Sequence, residues 1–200
     1  MTAAKSVKSN RINVTNPVFC LMLTDAAEGT TYGTVESLGK AMQIQLTPQI
    51  ATGEQYGNGA KEEDIGILKG VSAVFDLNKL FIEKRAKIMG NTYVDGVLIE
   101  KDGDQPPYIA VGYEIEQTGG TKEQIWLLKG RARPANQTVQ QSTNNINFSN
   151  DSITINFIPR ESDKQIRFFG DTANADYTSA QATAFFATGP VSYPAPTPTP

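Results

Sequence analysis

Apolar and polar residues alternate over several stretches of the chain, which is the pattern of half-buried β-strands. The alternation is clearest over residues 40–47, 65–77 and 108–117. In the second stretch Val71, Phe75 and Leu77 share one face. Further strands are expected at residues 18–23, 97–101, 124–133, 152–159 and 165–170. The pattern predicts a mainly β protein.

Two turns organise the second half of this pattern. Residues 97–101 and 108–117 are expected to pair as a hairpin across the turn Asp102-Gly103-Asp104. Gly119-Gly120 then leads into residues 124–133. Glu114 and Glu116 share one strand face, which we interpret as an exposed face of the sheet.

One helix is predicted over residues 78–89, with Gly90-Asn91 ending it. At 100° per residue Leu77, Phe81 and Ile88 stack on one face, which we expect to pack on the sheet. The opposite face carries Lys79, Glu83 and Lys87 at i, i+4 spacing. A second short helix is expected within residues 178–187.

Three segments lack the apolar periodicity needed to pack within the chain. Residues 1–16 form a basic arm with Lys5, Lys8 and Arg11, and residues 190–200 form a proline-rich tail that favours polyproline II. Residues 48–64 are expected to be a long loop or a loosely paired hairpin extension. The folded domain is therefore assigned to residues 17–189, and the three segments are expected to lie against neighbouring subunits.

Composition excludes several classes of function. The 200 residues include no histidine and one cysteine, so histidine-based catalysis, zinc sites and internal disulfides are not expected. With 18 basic and 21 acidic residues the net charge is -3, which argues against broad nucleic-acid binding. No apolar run is long enough for a membrane span, and the first residues lack the apolar stretch of a signal peptide. Cys20 is expected to be buried and inert.

No motif predicts catalysis or a bound cofactor or metal. Residues 33–40 (GTVESLGK) have the wrong spacing for a phosphate-binding loop, and Ala41 stands where a serine or threonine is required. Asp102-Gly103-Asp104 offers too few staggered carboxylates to bind calcium. The protein is therefore predicted not to be an enzyme.

The order of several sequence features resembles the major tail protein, or tail tube protein, of bacteriophages with long non-contractile tails that infect Gram-positive bacteria. The features span about residues 16–188. They are residues 23–34 (LTDAAEGTTYGT), the predicted helix, residues 95–98 (DGVL), residues 106–114 (PPYIAVGYE) and residues 125–130 (IWLLKG). The proline-rich tail departs from the family, in which some members carry an immunoglobulin-like appendage.

The resemblance implies a mainly β fold, a β-sandwich or small barrel with one flanking α-helix and extended arms. It implies a structural virion protein, made in the host cytoplasm, that forms stacked hexameric rings. DNA would pass through the lumen only transiently, and the tape measure protein would occupy it during assembly. The other expected partners are further copies of the chain and the tail terminator and distal tail proteins, with no membrane involved.

The lumen of such a tube is expected to be acidic or neutral, because a basic lining would bind the passing DNA. Candidate lumen-facing residues are Gln43, Gln45, Thr47, Glu114 and Glu116. Besides Lys5, Lys8 and Arg11, the candidate subunit contacts are basic residues Lys129, Arg131 and Arg133 and acidic residues Glu62, Glu63 and Asp64. The basic group is expected to meet these acids on a partner chain.

A second class of function stays open from the residues alone. A non-enzymatic β-sandwich binding module, such as a capsid decoration or receptor-binding domain, would have the same strand pattern but would not need to polymerise. Electron microscopy of the purified protein distinguishes tubes or stacked rings from compact particles.

Overall fold

A computed structural model describes residues 10–58, 60–134, 149–191 and 193. Within these residues the chain is mainly antiparallel β-structure with two short helices. The strands are β1 (Arg11–Ala26), β2 (Gly29–Tyr32), β3 (Glu36–Ser37), β4 (Ala41–Gly57), β5 (Ala60–Leu77), β6 (Thr92–Val94), β7 (Val97–Ile99), β8 (Ile109–Gln117), β9 (Lys122–Ala132), β10 (Asp151–Phe157) and β11 (Arg167–Asp171). The helices are α1 (Ile82–Met89) and α2 (Ser179–Ala184).

The main sheet has the strand order β2-β1-β8-β9-β10-β5-β4. Strand β9 lies at its centre and pairs with β8 along one edge. Its other edge pairs with β11 near its start and with β10 near its end. Strands β6 and β7 form a separate hairpin. The predicted mainly β fold, a β-sandwich with a flanking helix, is confirmed.

The principal core lies on the inner face of the curled sheet. The alternation predicted for β5 is confirmed, because Val71, Ala73, Phe75 and Leu77 are all fully buried there. Side chains from β8, β9 and β10 on the same face complete this core, and Ile88 and Met89 of α1 pack against it. Fully burying an aliphatic or aromatic side chain contributes about 1.5–3 kcal/mol, so this cluster is the main source of stability.

A second cluster lies on the outer face of β8 and β9. It contains Cys20, Ala110, Trp126, Leu128 and Phe185, and the chain around α2 covers it. The predicted second helix is confirmed, and Thr178 caps it with a capping box. The Cys20 thiol is fully buried, as predicted, and burial raises its pKa to about 12.

Helix α1 begins later than the sequence predicts. It starts at Ile82, because Phe81 has an extended backbone with φ -62° and ψ 140°. The backbone N–H of Leu80 donates a hydrogen bond to Asp151. Phe81 therefore precedes the helix and does not follow its phase, so the prediction that it packs in the core is wrong. Phe81 is 53% exposed, and its ring lies beneath the ammonium groups of Lys79 and Lys84.

The predictions for Ile88, the helix end and the Glu83–Lys87 pair are confirmed, whereas Lys79 lies before the helix and so is not part of its predicted polar face. Ile88 is fully buried, and Gly90 ends the helix in the left-handed region with φ 72°. On the opposite face Lys87 lies 3.8 Å from Glu83, while its closer partner is Glu36 at 2.9 Å.

The predicted hairpin across Asp102-Gly103-Asp104 is wrong. Strand β7 pairs instead with β6, across a turn in which Asp95 and Gly96 both have positive φ. Strand β8 pairs with β1 and β9, and the turn at Gly119-Gly120 is confirmed. Because β8 pairs with β1 from Arg11 onward, residues 11–16 belong to the sheet and not to the predicted basic arm.

The two isoleucines of α1 provide a matched test of this packing. Ile88→Ala should lower the free energy of unfolding by about 2–5 kcal/mol, because it empties part of the core. Ile82→Ala, at a position 54% exposed, should change it by no more than about 0.5 kcal/mol. Chemical denaturation measures both. Similar losses for the two variants would contradict the assigned face of the helix.

Candidate assembly surfaces

Strands β4 and β5 continue as a two-stranded ribbon beyond the main sheet. They pair from Ala41 with Leu77 to Gly57 with Ala60, whereas β10 accompanies β5 only over residues 71–77. We call residues 48–57 and 60–70 the ribbon. Residues 48–57, at about 3.3 Å per residue, give it a length of about 30 Å. Of the two predictions for residues 48–64, the hairpin extension is confirmed and the long loop is wrong.

Both faces of the ribbon carry exposed apolar side chains. Ile67 and Ile65 pair with Ala51 and Gly53 and share one face, and Ile50 pairs with Leu68 on the other. Their exposed fractions are 58% for Ile50, 47% for Ile65, 52% for Ile67 and 38% for Leu68. An isolated two-stranded hairpin is at best marginally stable, and clustered exposed apolar residues mark interaction surfaces.

The tip of the ribbon is acidic. Lys61 donates to Glu54 at 2.7 Å and to Asp64 at 2.8 Å, and Tyr56 also donates to Glu54. These contacts, first with Lys61 and then with Tyr56, lower the pKa of Glu54. Asp64, one of the acidic residues predicted to contact another subunit, thus forms an ion pair with Lys61 of its own chain. The exposed Glu62 and Glu63 form no ion pair with another described residue.

Two strand edges are open in the part of the chain that the structure describes. The outer edge of β4 has no neighbouring strand, and the first residues of β1 pair only with β8. The two edges face each other across a cleft of about 520 Å³, with Ile12 and Met42 exposed at its sides. An open edge offers unpaired backbone N–H and C=O groups to another strand.

A polar face covers the outer side of β4, β5 and β10. Gln43, Gln45 and Thr47 are all exposed on β4, as their predicted common face requires. The strand register extends this face across β5 and β10 with residues that sequence reasoning did not assign to it: Ser72, Val74, Asp76, Ser152, Thr154 and Asn156. Asp76 is the one charged residue among these nine, so the face is nearly neutral over β4, β5 and β10. We call it the polar face. At its β9 border the register adds the exposed Arg131, and Arg133 contacts Asn156 there.

Glu114 and Glu116 lie on a different wall of the sheet from the polar face. Glu114 is 8% exposed and accepts hydrogen bonds from Lys122 at 3.0 Å and Gln124 at 2.9 Å. Gln124 also donates to a carbonyl of α2. The prediction of an exposed face is therefore wrong for Glu114, because the chain around α2 covers this wall. Glu116 accepts from Asn13.

The predicted basic group divides into an internal cation and two exposed ones. The Lys129 ammonium lies 2.6 Å from a carboxylate oxygen of Asp25, with both side chains largely buried. The exposed Arg131 stacks on the Tyr108 ring at 4.1 Å from its centroid. Arg133, also exposed, donates to the Asn156 side-chain oxygen at 2.6 Å. Neither arginine forms an ion pair with another residue that the structure describes.

The arm residues contribute less to this surface than the sequence predicts. Arg11 makes a bidentate contact with Glu123 of its own chain, at 2.7 and 2.8 Å. Lys5 and Lys8 lie outside the described residues. Four of the six basic residues predicted to form contacts are among the described residues. Of these four, Arg131 and Arg133 remain available to an acidic partner.

Asp25 joins three parts of the fold. Its carboxylate accepts hydrogen bonds from Lys129 of β9, from the Glu161 backbone N–H and from Thr30. Burial alone would raise its pKa, but these hydrogen bonds outweigh it and lower the pKa from 3.8 to about 2. The contact holds the turn between β1 and β2 against the centre of the sheet.

Within the described ranges no three acidic or cysteine residues cluster closely enough to hold a metal ion. No described helix is long and apolar enough to cross a membrane. No protein-family model matches this chain, and no curated protein is similar to it in sequence. What the protein does is therefore inferred from its surfaces.

The Asp25 contact predicts a specific dependence of stability on pH. A carboxylate whose pKa is lowered on folding stabilises the folded state above its unfolded pKa, and this contribution is lost as pH falls through the folded value. The wild type should thus lose part of its free energy of unfolding between about pH 4 and pH 2, relative to Asp25→Asn. Denaturation at several pH values measures the difference. Parallel profiles for the two proteins would contradict the prediction.

Proposed function

We propose that the protein is the structural subunit of a bacteriophage tail tube, polymerising as stacked hexameric rings through which DNA is delivered to the host. The observation that carries this proposal is the ribbon, a protruding hairpin with apolar residues on both of its faces. Nothing within its own described chain covers either face, so a second and a third surface are needed to bury them. Repeated copies of the same subunit supply such surfaces.

The open edges support closure into a ring. The outer edge of β4 and the first residues of β1 lie at opposite ends of the strand order and come close together in space. Pairing the edge of one copy with that of the next continues the sheet from subunit to subunit. A closed ring then leaves no edge exposed.

The length and charge of the ribbon support stacking of rings. Arg131 pairs in register with Asn156, which in turn pairs with Ser72 beside the base of the ribbon. The acids Glu62 and Glu63 lie near the opposite end, about 30 Å away. A ribbon laid along the next subunit brings its acidic tip to that subunit's arginines. This head-to-tail contact does not close on itself and so builds a filament.

The polar face supports a role as the lining of the tube. It presents amides and hydroxyls with one acid, Asp76, and no large apolar side chain beyond Val74. These nine residues make few attractive contacts with phosphates. Arg131 and Arg133 at the β9 border would be neutralised by the acidic ribbon tip of the next ring, so DNA would pass without being held. In this assembly the tape measure protein would occupy the lumen first, and the terminator and distal tail proteins would bind the tube ends, as the resemblance implies.

Two pairs of matched substitutions test the role of the ribbon. Ile65→Thr with Ile67→Thr should leave the monomer folded but abolish or strongly reduce polymerisation, because one apolar face of the ribbon is lost. Val94→Thr with Val97→Thr, at exposed positions of the β6–β7 hairpin, should polymerise like the wild type. Sedimentation and negative-stain electron microscopy measure assembly, and circular dichroism checks folding.

If both double variants formed tubes equally well, the ribbon would not be needed for assembly. Compact particles from the wild type under all conditions would overturn the proposed function and favour the non-enzymatic binding module.

A charge exchange tests the contact between the ribbon tip and its base. Glu62→Lys with Glu63→Lys should weaken stacking, because like charges then face Arg131 and Arg133 of the next copy. Adding Arg131→Glu and Arg133→Glu to the same chain should restore assembly. The yield of tubes at low and high salt measures both effects. A quadruple variant that assembles no better than the Glu62→Lys, Glu63→Lys double variant would contradict the pairing.

A further inference from the structure

An aromatic cavity lies between α2 and the outer face of β9 and β11. Its volume is about 220 Å³, and Trp126, Phe168, Phe185 and Tyr193 provide the aromatic part of its lining. Val191 also lines it and is 57% exposed, so the cavity opens to solvent on that side. None of the surfaces used above for assembly includes this cavity.

The walls of the cavity are held in fixed positions. The Trp126 indole N–H donates to the Phe185 carbonyl at 2.7 Å, which orients the indole ring beneath α2. The rings of Phe168 and Tyr193 meet edge to face, with centroids 5.0 Å apart. Gln165 donates to the Tyr193 carbonyl at 2.8 Å. The chain therefore reaches the rim of the cavity at Tyr193.

Seven residues of sequence follow Tyr193. They read PAPTPTP, with four prolines and no charge. Four of the seven residues lack a backbone N–H, so the segment cannot extend a β-ladder, and its composition favours polyproline II. At 3.1 Å per residue it would extend about 22 Å, enough to reach across the cavity from its rim.

We propose that the aromatic cavity binds residues 194–200 of the same chain in a polyproline II conformation. Aromatic-lined grooves recognise proline-rich segments because this helix is preformed and its rings pack flat on aromatic side chains. The same chain is the favoured source because the segment begins at the rim, where its effective concentration is high. So bound, the tail holds the chain around α2 over Trp126 and the second cluster.

The test uses the 200-residue chain, in which tail residues are substituted and none is removed. In the four-glycine variant, Pro194, Pro196, Pro198 and Pro200 are each replaced by glycine, which removes the polyproline preference and the rings. The synthetic peptide PAPTPTP should bind this variant saturably, at one peptide per chain, in isothermal titration calorimetry. It should bind the wild type much more weakly, because the wild-type tail already occupies the cavity.

Neighbouring phenylalanines provide a matched control for the site. In the four-glycine background Phe168→Ala should abolish peptide binding, and Phe169→Ala, 53% exposed and absent from the lining, should retain it. Because Trp126 is the one tryptophan, its fluorescence should also change when the peptide binds. Circular dichroism confirms that each variant is folded.

Two results would overturn the assignment. Absence of saturable peptide binding to the folded four-glycine variant would show that the cavity does not take this segment. Loss of self-association by that variant would show that the tail acts between copies and not within one chain. Peptide binding is measured on the single chain and does not depend on the ribbon, so failure of this proposal and failure of the proposed function are distinguishable.

Discussion

The rest of the structure depends on the burial of β8 and β9 on both of their faces. Strands of an antiparallel sheet commonly cover a core on one side and meet water on the other. Here Val111 and Tyr113 point into the main core, while Ala110 lies beneath the chain around α2. Close packing on the second side needs a residue without a side chain, since a Cβ on Gly112 would lie 2.5 Å from the Phe186 ring. The sheet thus has a rigid centre, fixed by packing on two sides.

The ends of the sheet lack the burial on both faces that its centre has. The ribbon lies at one end of the strand order with exposed apolar groups on both faces, and the outer edge of β4 is open in the described chain. These features cost stability in an isolated monomer and expose it to non-specific pairing. In the proposed assembly both costs would be removed, because another copy would cover the ribbon and pair with the edge. A rigid centre with incomplete ends is the arrangement that a repeating assembly requires.

Burial could be predicted from the sequence where local periodicity agrees with the final packing. The predictions failed where contacts from distant parts of the chain determine which side chains are buried. Alternation in β5 identified Phe75 and Leu77 correctly because one face of that strand meets the core. Phe81 follows the helical spacing but precedes the helix, because its backbone is extended; the neighbouring Leu80 N–H is bound by Asp151, which lies 71 positions further along the chain. Glu114 was assigned to an exposed face because nothing near it in sequence indicates that the α2 region covers β8. The polar face was predicted only in part, since its width depends on the strand order.

The distribution of charge separates the interactions that hold the subunit together from those left for partners. Lys129 is paired inside the fold with Asp25, where the low pKa of the carboxylate keeps the contact ionised over the whole physiological range. Arg131, two residues along the same strand, points outward and stacks on Tyr108, which orients its guanidinium without neutralising it. The two cations share one face of β9 and both lie over Tyr108, and Lys129 is internal because Asp25 covers it. In the proposed assembly the apolar ribbon would supply most of the contact energy between copies, and the outward charges would set its register and direction.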